Sequence, residues 1–193
     1  MNDFEEMGAE KKPYKNSIVK ELLKDICIAL IIVLAISFVI KPTIVKETSM
    51  EDTLYENNYL IVNKLAYLNR EHPQRGDIIV FKSDLINPDT GKEMLLIKRV
   101  IGIEGDVLSF KDNEVYRNGK LLREDYIMDE MPEVRDYPNG QTFEIGNDEV
   151  FTMGDHRSVS RDSRDAGVGM VKEEEIVGKA FIRLFPFSEI RLL

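Results

Sequence analysis

The feature that most limits how this chain can fold is an uncharged, apolar run of fifteen residues at positions 26–40. As a helix rising ~1.5 Å per residue, the run spans roughly 22 Å, less than the ~30 Å hydrocarbon core of a bilayer. Apolar neighbours extend it, so residues 22–41 are predicted to form a transmembrane anchor. Lys24 and Lys41 could hold their ammonium groups at the two interfaces.

A cleaved signal peptide and a buried core helix are the alternatives. A signal peptide needs a short basic start and a small-x-small cleavage site after the apolar run. Here the leader is about 25 residues long and carries Asp3, Glu5, Glu6 and Glu10, and the only candidate site, at 35–37, lies inside the run. The anchor is therefore favoured. Lysines at 11, 12, 15, 20 and 24 predict a cytoplasmic segment 1–21 and, beyond a single pass of the cell membrane, an extracytoplasmic body.

Length and composition narrow the function classes. The chain has 193 residues, enough for one domain with a small insertion. A net charge of −9 argues against nucleic acid as a partner, because nucleic-acid binding normally needs a basic face. Cys27 is the single cysteine, so no intramolecular disulfide can form.

Beyond residue 41 the pattern is mainly β. β-branched and aromatic runs between turn residues predict strands at 59–62, 77–81, 95–101, 106–110 and 177–184. Asn118-Gly119 predicts a hairpin over 114–122, and 142–145 is expected to pair with 149–153 around a tight turn. The more polar stretch 108–148 is interpreted as a smaller β subdomain inserted into a β-rich body formed by 42–107 and 149–193.

Two side chains could together perform nucleophilic chemistry. Lys98 lies in an apolar strand with Leu96 and Val100 on its face, and desolvation there would lower its pKa towards that of a general base. Ser49 opens a turn after the apolar segment. Taken singly, Lys98 could instead be an edge lysine with an acidic partner, with Arg99 sharing the solvent side, and Ser49 a surface serine.

A third region, residues 153–169, gathers hydrogen-bonding side chains and glycines in a loop after a strand. Its glycines permit tight turns and close backbone approach. Ser160 and Asp162 lie two positions apart and could project to the same side, where they would orient a neutral amine.

Histidine-based and metal-based sites are disfavoured. His156 could join Asp155 or Asp162 in a Ser–His–Asp arrangement, but the chain has no matching nucleophile-elbow glycines. His72, beside Pro73, is expected in a surface turn. With two histidines and no cysteine in the body, no metal or other cofactor is predicted.

Together these regions resemble type I signal peptidase, the membrane-anchored Ser/Lys endopeptidase of the bacterial kind. The similar segments are 49–54, 59–65, 75–81, 98–106 and 154–164, in that order behind an anchor. The resemblance implies a catalytic β domain with an inserted β subdomain, no cofactor, a membrane-lipid environment, and substrates that are secretory preproteins with small residues at −1 and −3.

The resemblance also implies roles for individual residues. Ser49 would be the nucleophile, with its own N–H in the oxyanion hole, and Lys98 the general base. Ser160 and Asp162 would orient the lysine, and Arg164 would pair with an acid. In the proposed mechanism an extended substrate adds as a strand, and Val45 and Ile97 line its shallow pockets.

Four residues depart from the family pattern: Glu47, Asp52, Glu104 and His156. They suggest an alternative, a specialised or weakly active paralogue that binds surface-protein precursors for assembly. Near the end of the chain, Phe181, Phe185 and Phe187 could rest on the bilayer, although a core strand is the favoured interpretation.

Overall fold

The structure is a computed structural model that describes residues 14–69, 71–88, 90–127 and 140–193, with side chains described from residue 18 onward. It forms two compact units. The first ends at Phe38, and the second runs from Val39 to Leu193.

The first unit contains one helix, α1, Tyr14–Val39. Its segment Ile18–Val39 has 22 residues with a mean hydropathy of 2.6, and none of its most apolar window is buried. At ~1.5 Å per residue this length matches a hydrocarbon core of ~30 Å. The buried-core-helix alternative is therefore wrong. The helix ends two residues before the predicted boundary, because Ile40 and Lys41 begin a strand.

Apart from two short 3₁₀ turns, the regular secondary structure described in the second unit consists of strands. Their bounds are β1 Ile40–Ile44, β2 Tyr59–Asn63, β3 Ile78–Ile86, β4 Glu93–Ile103, β5 Val107–Lys111, β6 Glu114–Arg117, β7 Lys120–Leu121, β8 Thr142–Glu144, β9 Glu149–Met153, β10 Val171–Lys172, β11 Ile176–Phe185 and β12 Arg191–Leu192. Short 3₁₀ turns occupy Glu173–Glu175 and Phe187–Glu189. The mainly β fold class is confirmed.

The strands form two antiparallel sheets. The main sheet has the order β1-β2-β11-β3-β4-β9-β10, with β12 beside β11, and the small sheet has the order β7-β6-β5-β8. The predicted pairing of 142–145 with 149–153 is wrong: β8 pairs with β5 and β9 pairs with β4. β8 and β9 each pair with a strand that is distant in sequence. A turn signal between two neighbouring segments does not reveal such pairing.

The core follows the alternation of buried residues along the strands. In β4 the buried side chains include Leu96, Lys98 and Val100, as the sequence pattern predicted. Leu96 and Val100 pack with Ile79 and Phe81 of β3. A polar side chain is thus held within an apolar layer of the main sheet.

The aromatic residues near the C-terminus are not core residues. Phe185 is exposed, Phe187 is 73% exposed, and the two rings stack edge to face at 5.5 Å. Phe181 is half-buried. The core-strand interpretation is therefore wrong for Phe185 and Phe187. Phe185 is the last residue of β11, and Phe187 begins the 3₁₀ turn that follows.

The carboxylate of Asp106 stabilises the turn that connects the two sheets. It accepts hydrogen bonds from Arg75 at 2.7 Å through both Nε and Nη2, from Asn118 Nδ2 at 2.8 Å and from the Ile103 N–H at 3.1 Å. Burial alone would raise the pKa of Asp106, but these donors outweigh it and hold the pKa below its ordinary value.

We expect Asp106→Asn to lower the free energy of unfolding at pH 7 by about 2 kcal/mol, because charge-assisted hydrogen bonds are lost without a change of shape. The folded pKa lies below the unfolded value of about 3.9, so the contribution is complete above that pH and disappears as pH falls through the folded pKa. Urea unfolding of the full chain in detergent, followed by tyrosine fluorescence, measures the difference.

The exposed Asp84 on β3 provides the matched control, Asp84→Asn. Equal effects of the two substitutions, or an Asp106 effect that persists unchanged in acid, would contradict this role.

Candidate active site

Ser49 lies in a turn that is anchored to the core by the residues before it and after it in sequence. Before it, Val45 exchanges backbone hydrogen bonds with the 57–58 segment. After it, Met50 and Leu54 are buried in the same apolar cluster as Val45, and the Leu54 N–H donates to the Met50 carbonyl at 2.7 Å. Ser49 itself is 6% exposed. The sequence folds locally in this way because apolar side chains at 50 and 54 anchor a polar turn.

Lys98 meets Ser49 directly. The lysine is 0% exposed, and its Nζ donates a hydrogen bond to Ser49 Oγ at 2.7 Å. The surface-lysine and surface-serine alternatives are both wrong. Forty-nine positions separate the two residues in sequence, so the contact is created by the fold.

The electrostatic surroundings favour a neutral amine at position 98. Burial lowers the pKa of Lys98, and the positive charge of Arg164 acts in the same direction. The carboxylates of Asp162, Glu47 and Asp155 oppose this effect, but the pKa remains below its ordinary value. In the described ranges Lys98 forms no ion pair with a carboxylate.

Asp162 and Arg164 form a buried ion pair beside the catalytic candidates. Arg164 Nε donates to Asp162 Oδ1 at 2.8 Å, and the Gly154 N–H donates to Asp162 Oδ2 at 2.9 Å. Burial by itself would raise the pKa of Asp162, but the charge and hydrogen bonds of Arg164 reverse this and lower it. The carboxylate is therefore held ionised and fixed to the loop.

Ser160 lies against the same loop. A Cβ at Gly154 would collide with both Ser160 Oγ and the Ser49 carbonyl, so glycine is required where these two approach. The Ser160 hydroxyl helps to lower the pKa of Asp162, although its geometry gives no complete hydrogen bond with any described residue, Lys98 included.

His156 contributes through its backbone. Its N–H donates to the Ser49 carbonyl at 3.1 Å, and its ring nitrogen Nδ1 lies 3.5 Å from Glu51 Oε2. Next to it, the buried Asp155 pairs with Arg99 through contacts of 2.6 and 2.8 Å. Sequence reasoning missed this Arg99–Asp155 pair. The sequence signal for this pair was the position of an arginine directly after a lysine in an apolar strand.

A cleft of ≈ 610 Å³ opens beside Ser49. One wall comes from β1 and the segment after it, and the other from the first half of β4. Val45, Met50, Val80 and Ile97 contribute its apolar part. Both residues predicted to line substrate pockets, Val45 and Ile97, therefore border the same cleft as Ser49.

His72 lies outside this cleft, in an exposed ion pair. Its Nδ1 contacts Glu173 Oε2 at 2.9 Å, and the hydrogen bond with Glu173 raises the pKa of His72. Potential ligand atoms of His72, Asp148 and Glu173 lie within 4.8 Å of one another. Sequence spacing did not indicate this grouping, because the three residues come from separate turns.

Comparison with known proteins decides the family. A profile described as "Signal peptidase, peptidase S26" matches residues 19–185. The chain is 33% identical to Signal peptidase I P of Bacillus subtilis subsp. natto over 188 residues, covering 94% of this chain and 97% of that protein. The chain belongs to the signal peptidase family. Its N-terminal apolar helix is consistent with membrane anchoring.

A second relative agrees with this assignment. Signal peptidase I T of Bacillus subtilis (strain 168) is 36% identical over 183 residues, covering 92% of this chain and 91% of that protein. A crystal structure of a signal peptidase I from Enterococcus faecalis V583 shares 31% identity, covers 56% of this chain and 96% of that chain, and superposes with a TM-score of 0.42.

Two of the residues that depart from the family pattern, Glu47 and Asp52, lie near the Ser49 turn. Glu47 borders the cleft together with Ser49. Asp52 accepts a hydrogen bond from the Tyr55 hydroxyl at 3.1 Å. This contact joins two residues of the same turn and stabilises it.

The buried amine generates a prediction about stability. We expect Lys98→Met to raise the melting temperature at about pH 6 relative to the parent chain, because it removes the cost of keeping a charged amine out of water. The folded pKa lies below the unfolded value of about 10.4, so this cost is complete below the folded pKa and vanishes as pH rises towards the unfolded one. The gain should therefore shrink as pH rises from the folded pKa towards about 10.4.

The control is Lys82→Met, which replaces an exposed lysine on the adjacent strand β3. Melting curves of the full chain in detergent measure both variants. A gain that is independent of pH, or one shared equally by Lys82→Met, would contradict a depressed pKa at Lys98.

Proposed function

We propose that Ser49 and Lys98 are a catalytic dyad with which this protein removes signal peptides from secretory preproteins. The carrying observation is the 2.7 Å hydrogen bond between Lys98 Nζ and Ser49 Oγ. A nucleophile within hydrogen-bonding reach of a base is the geometric requirement for covalent catalysis. The lowered pKa of the buried amine supports the second requirement, because it makes the neutral, proton-accepting form of the base more accessible than in water.

The mechanism follows from these two groups. When Lys98 is neutral, the Ser49 hydroxyl can donate its proton to Nζ across the same short distance. Oγ then attacks the scissile carbonyl carbon, and the ammonium of Lys98 returns the proton to the departing amine nitrogen. The resulting ester is an acyl-enzyme. Lys98, neutral again, takes a proton from water as the water oxygen attacks the ester carbonyl carbon. The bond from that carbon to Ser49 Oγ then breaks, and the Lys98 ammonium returns the proton to Oγ, which releases the carboxylic acid and restores the serine hydroxyl.

Neighbouring groups support these steps. The Ser49 N–H has no hydrogen-bond partner within the described residues and is our candidate oxyanion donor, a type of contact worth about 3 kcal/mol in the transition state. Asp162 and Arg164 fix the loop that carries Gly154 against the Ser49 carbonyl. We assign Ser160 a supporting role in that loop.

Two strands that border the cleft, β1 and the first half of β4, each have one edge without a strand partner among the described residues. β1 pairs with β2 alone, and β9 covers β4 only from Arg99 onward, so the edge of β4 before Arg99 lacks a strand partner in the described structure. An extended preprotein segment can add as a strand along such an edge. Val45 and Ile97 border the apolar part of the cleft and would admit small side chains at −1 and −3.

We infer a single-pass topology for the same protein. Lysines at 11, 12, 15, 20 and 24 precede or begin the apolar segment, and positive charge is retained on the cytoplasmic side of membranes. The N-terminus would be cytoplasmic and the catalytic domain extracytoplasmic, next to membrane lipid and to translocated preproteins.

An alternative rests on Glu47, whose carboxylate borders the cleft next to the nucleophile. A negative charge there opposes the developing oxyanion, which favours a weakly active paralogue that binds surface-protein precursors. A purified precursor with alanine at −3 and −1 separates the two functions: a bound but uncut precursor supports the alternative.

We expect Ser49→Ala and Lys98→Ala each to reduce cleavage of that precursor by a factor on the order of 10⁴ to 10⁶, because the two residues act as a unit. Gel analysis of product formation by the full chain in detergent measures this. A precursor with tryptophan at −1 is the substrate control. Retained cleavage by Lys98→Ala in a folded sample would eliminate the dyad.

The rate should also depend on pH. Because only neutral Lys98 can act as the base, kcat/KM is expected to rise with pH to a plateau whose midpoint lies below the ordinary lysine pKa of about 10.4. The residual activity of Lys98→Ala should lack this rise. A midpoint at the ordinary lysine value would mean that the amine is not desolvated during catalysis.

A further inference from the structure

The segment that leaves the small sheet sends two side chains to the candidate site. The Tyr126 hydroxyl donates to Glu124 Oε1 at 2.6 Å. The same oxygen accepts a hydrogen bond from Arg157 Nη2 at 2.8 Å. We call these two residues the Glu124–Tyr126 pair. Neither belongs to the motifs on which the family resemblance rests.

Glu124 neutralises a deeply buried charge. The side chains of Glu124 and Arg157 are 5% and 1% exposed. Arg157 Nε donates to the Gly154 carbonyl at 3.0 Å, and the Arg157 carbonyl accepts from Arg164 Nη2 at 2.8 Å. Because a buried guanidinium is costly without a counter-charge, the position of Arg157, and through it the Gly154 backbone, depends on Glu124.

Tyr126 reaches the other half of the site. Its ring centre lies 4.0 Å from Arg99 Cζ, a cation–π distance. Arg99 follows Lys98 in β4 and pairs with Asp155. Both contacts of the Glu124–Tyr126 pair thus converge on residues 154–156, where the His156 N–H holds the Ser49 carbonyl at 3.1 Å.

We propose that Glu124 and Tyr126 are positioning residues that set the distance between Ser49 Oγ and Lys98 Nζ by fixing the 154–156 backbone. This inference rests on the proposed Ser49–Lys98 function. Under this proposal the small sheet contributes to the geometry of the active site, because the segment that follows its strand β7 contacts both Arg157 and Arg99. Small displacements of a nucleophile and its base are expensive: about 1 Å can cost about 10²-fold in rate.

The chain provides a matched control for this pair. On β6 the Tyr116 hydroxyl donates to Glu114 Oε2 at 2.7 Å, the same chemistry at the same spacing of two residues. That pair is exposed, and its hydrogen bond does not involve residues 154–156.

We expect Glu124→Gln to lower kcat about tenfold and Tyr126→Phe about threefold, each leaving KM within about twofold, since the cleft is intact while the reacting groups are misplaced. Glu114→Gln and Tyr116→Phe should change neither constant. All four variants are assayed as full chains in detergent on the alanine precursor, with kcat normalised to the folded fraction from melting curves. The inference is overturned if kcat per folded molecule of Glu124→Gln equals that of the parent.

A second measurement does not need activity. Hydrogen exchange of the peptide containing His156 should accelerate in Glu124→Gln and not in Glu114→Gln, because the amide that donates to Ser49 becomes less fixed. Unchanged exchange would overturn the inference even if the parent protein cleaves nothing. Failure of the parent to cleave, with accelerated exchange in Glu124→Gln, would refute the proposed dyad and leave the positioning contact standing.

Discussion

The rest of the site depends on a lysine amine that is wholly removed from water and bonded to a neutral hydroxyl. An isolated ammonium in such a place is unfavourable, so the group relieves the cost by losing its proton more readily than in water. The main sheet creates this condition by surrounding Lys98 with buried apolar neighbours along β4. The same burial that destabilises the charged form is what equips the amine to accept a proton.

The body holds the side chains of Ser49 and Lys98 by different means. Lys98 is fixed by strand pairing, because β4 is flanked by β3 on one side and, from Arg99 onward, by β9 on the other. Ser49 lies in a turn without strand partners, and its position comes from the buried Met50 and Leu54 and from the His156 N–H. The turn is therefore the less constrained half, and contacts on the 154–156 loop have the greatest influence on the geometry.

Local sequence patterns predicted much of this structure, and the remainder depended on pairing between distant segments. The apolar helix, the strands and the buried face of Lys98 follow from composition and alternation, which are local properties. β1 was not predicted: Lys41 and Pro42 interrupt its pattern, and it is defined by pairing with β2. The partners of β8 and β9 were wrong for the same reason. Glu124 and Tyr126 gave no signal, because their contacts with Arg157 and Arg99 span tens of residues.

The arrangement of buried charges explains why Lys98 forms no salt bridge with a carboxylate among the described residues. Three buried carboxylates lie around the site, and each pairs with an arginine: Asp162 with Arg164, Asp155 with Arg99 and Glu124 with Arg157. Arginine stays protonated under all these conditions and binds carboxylates through a planar fork. A carboxylate paired directly with Lys98 would favour its charged form and raise its pKa. Because each of these three buried carboxylates is paired with a guanidinium, the charges hold the loop in place, while the only hydrogen-bond partner of the amine among the described residues is Ser49.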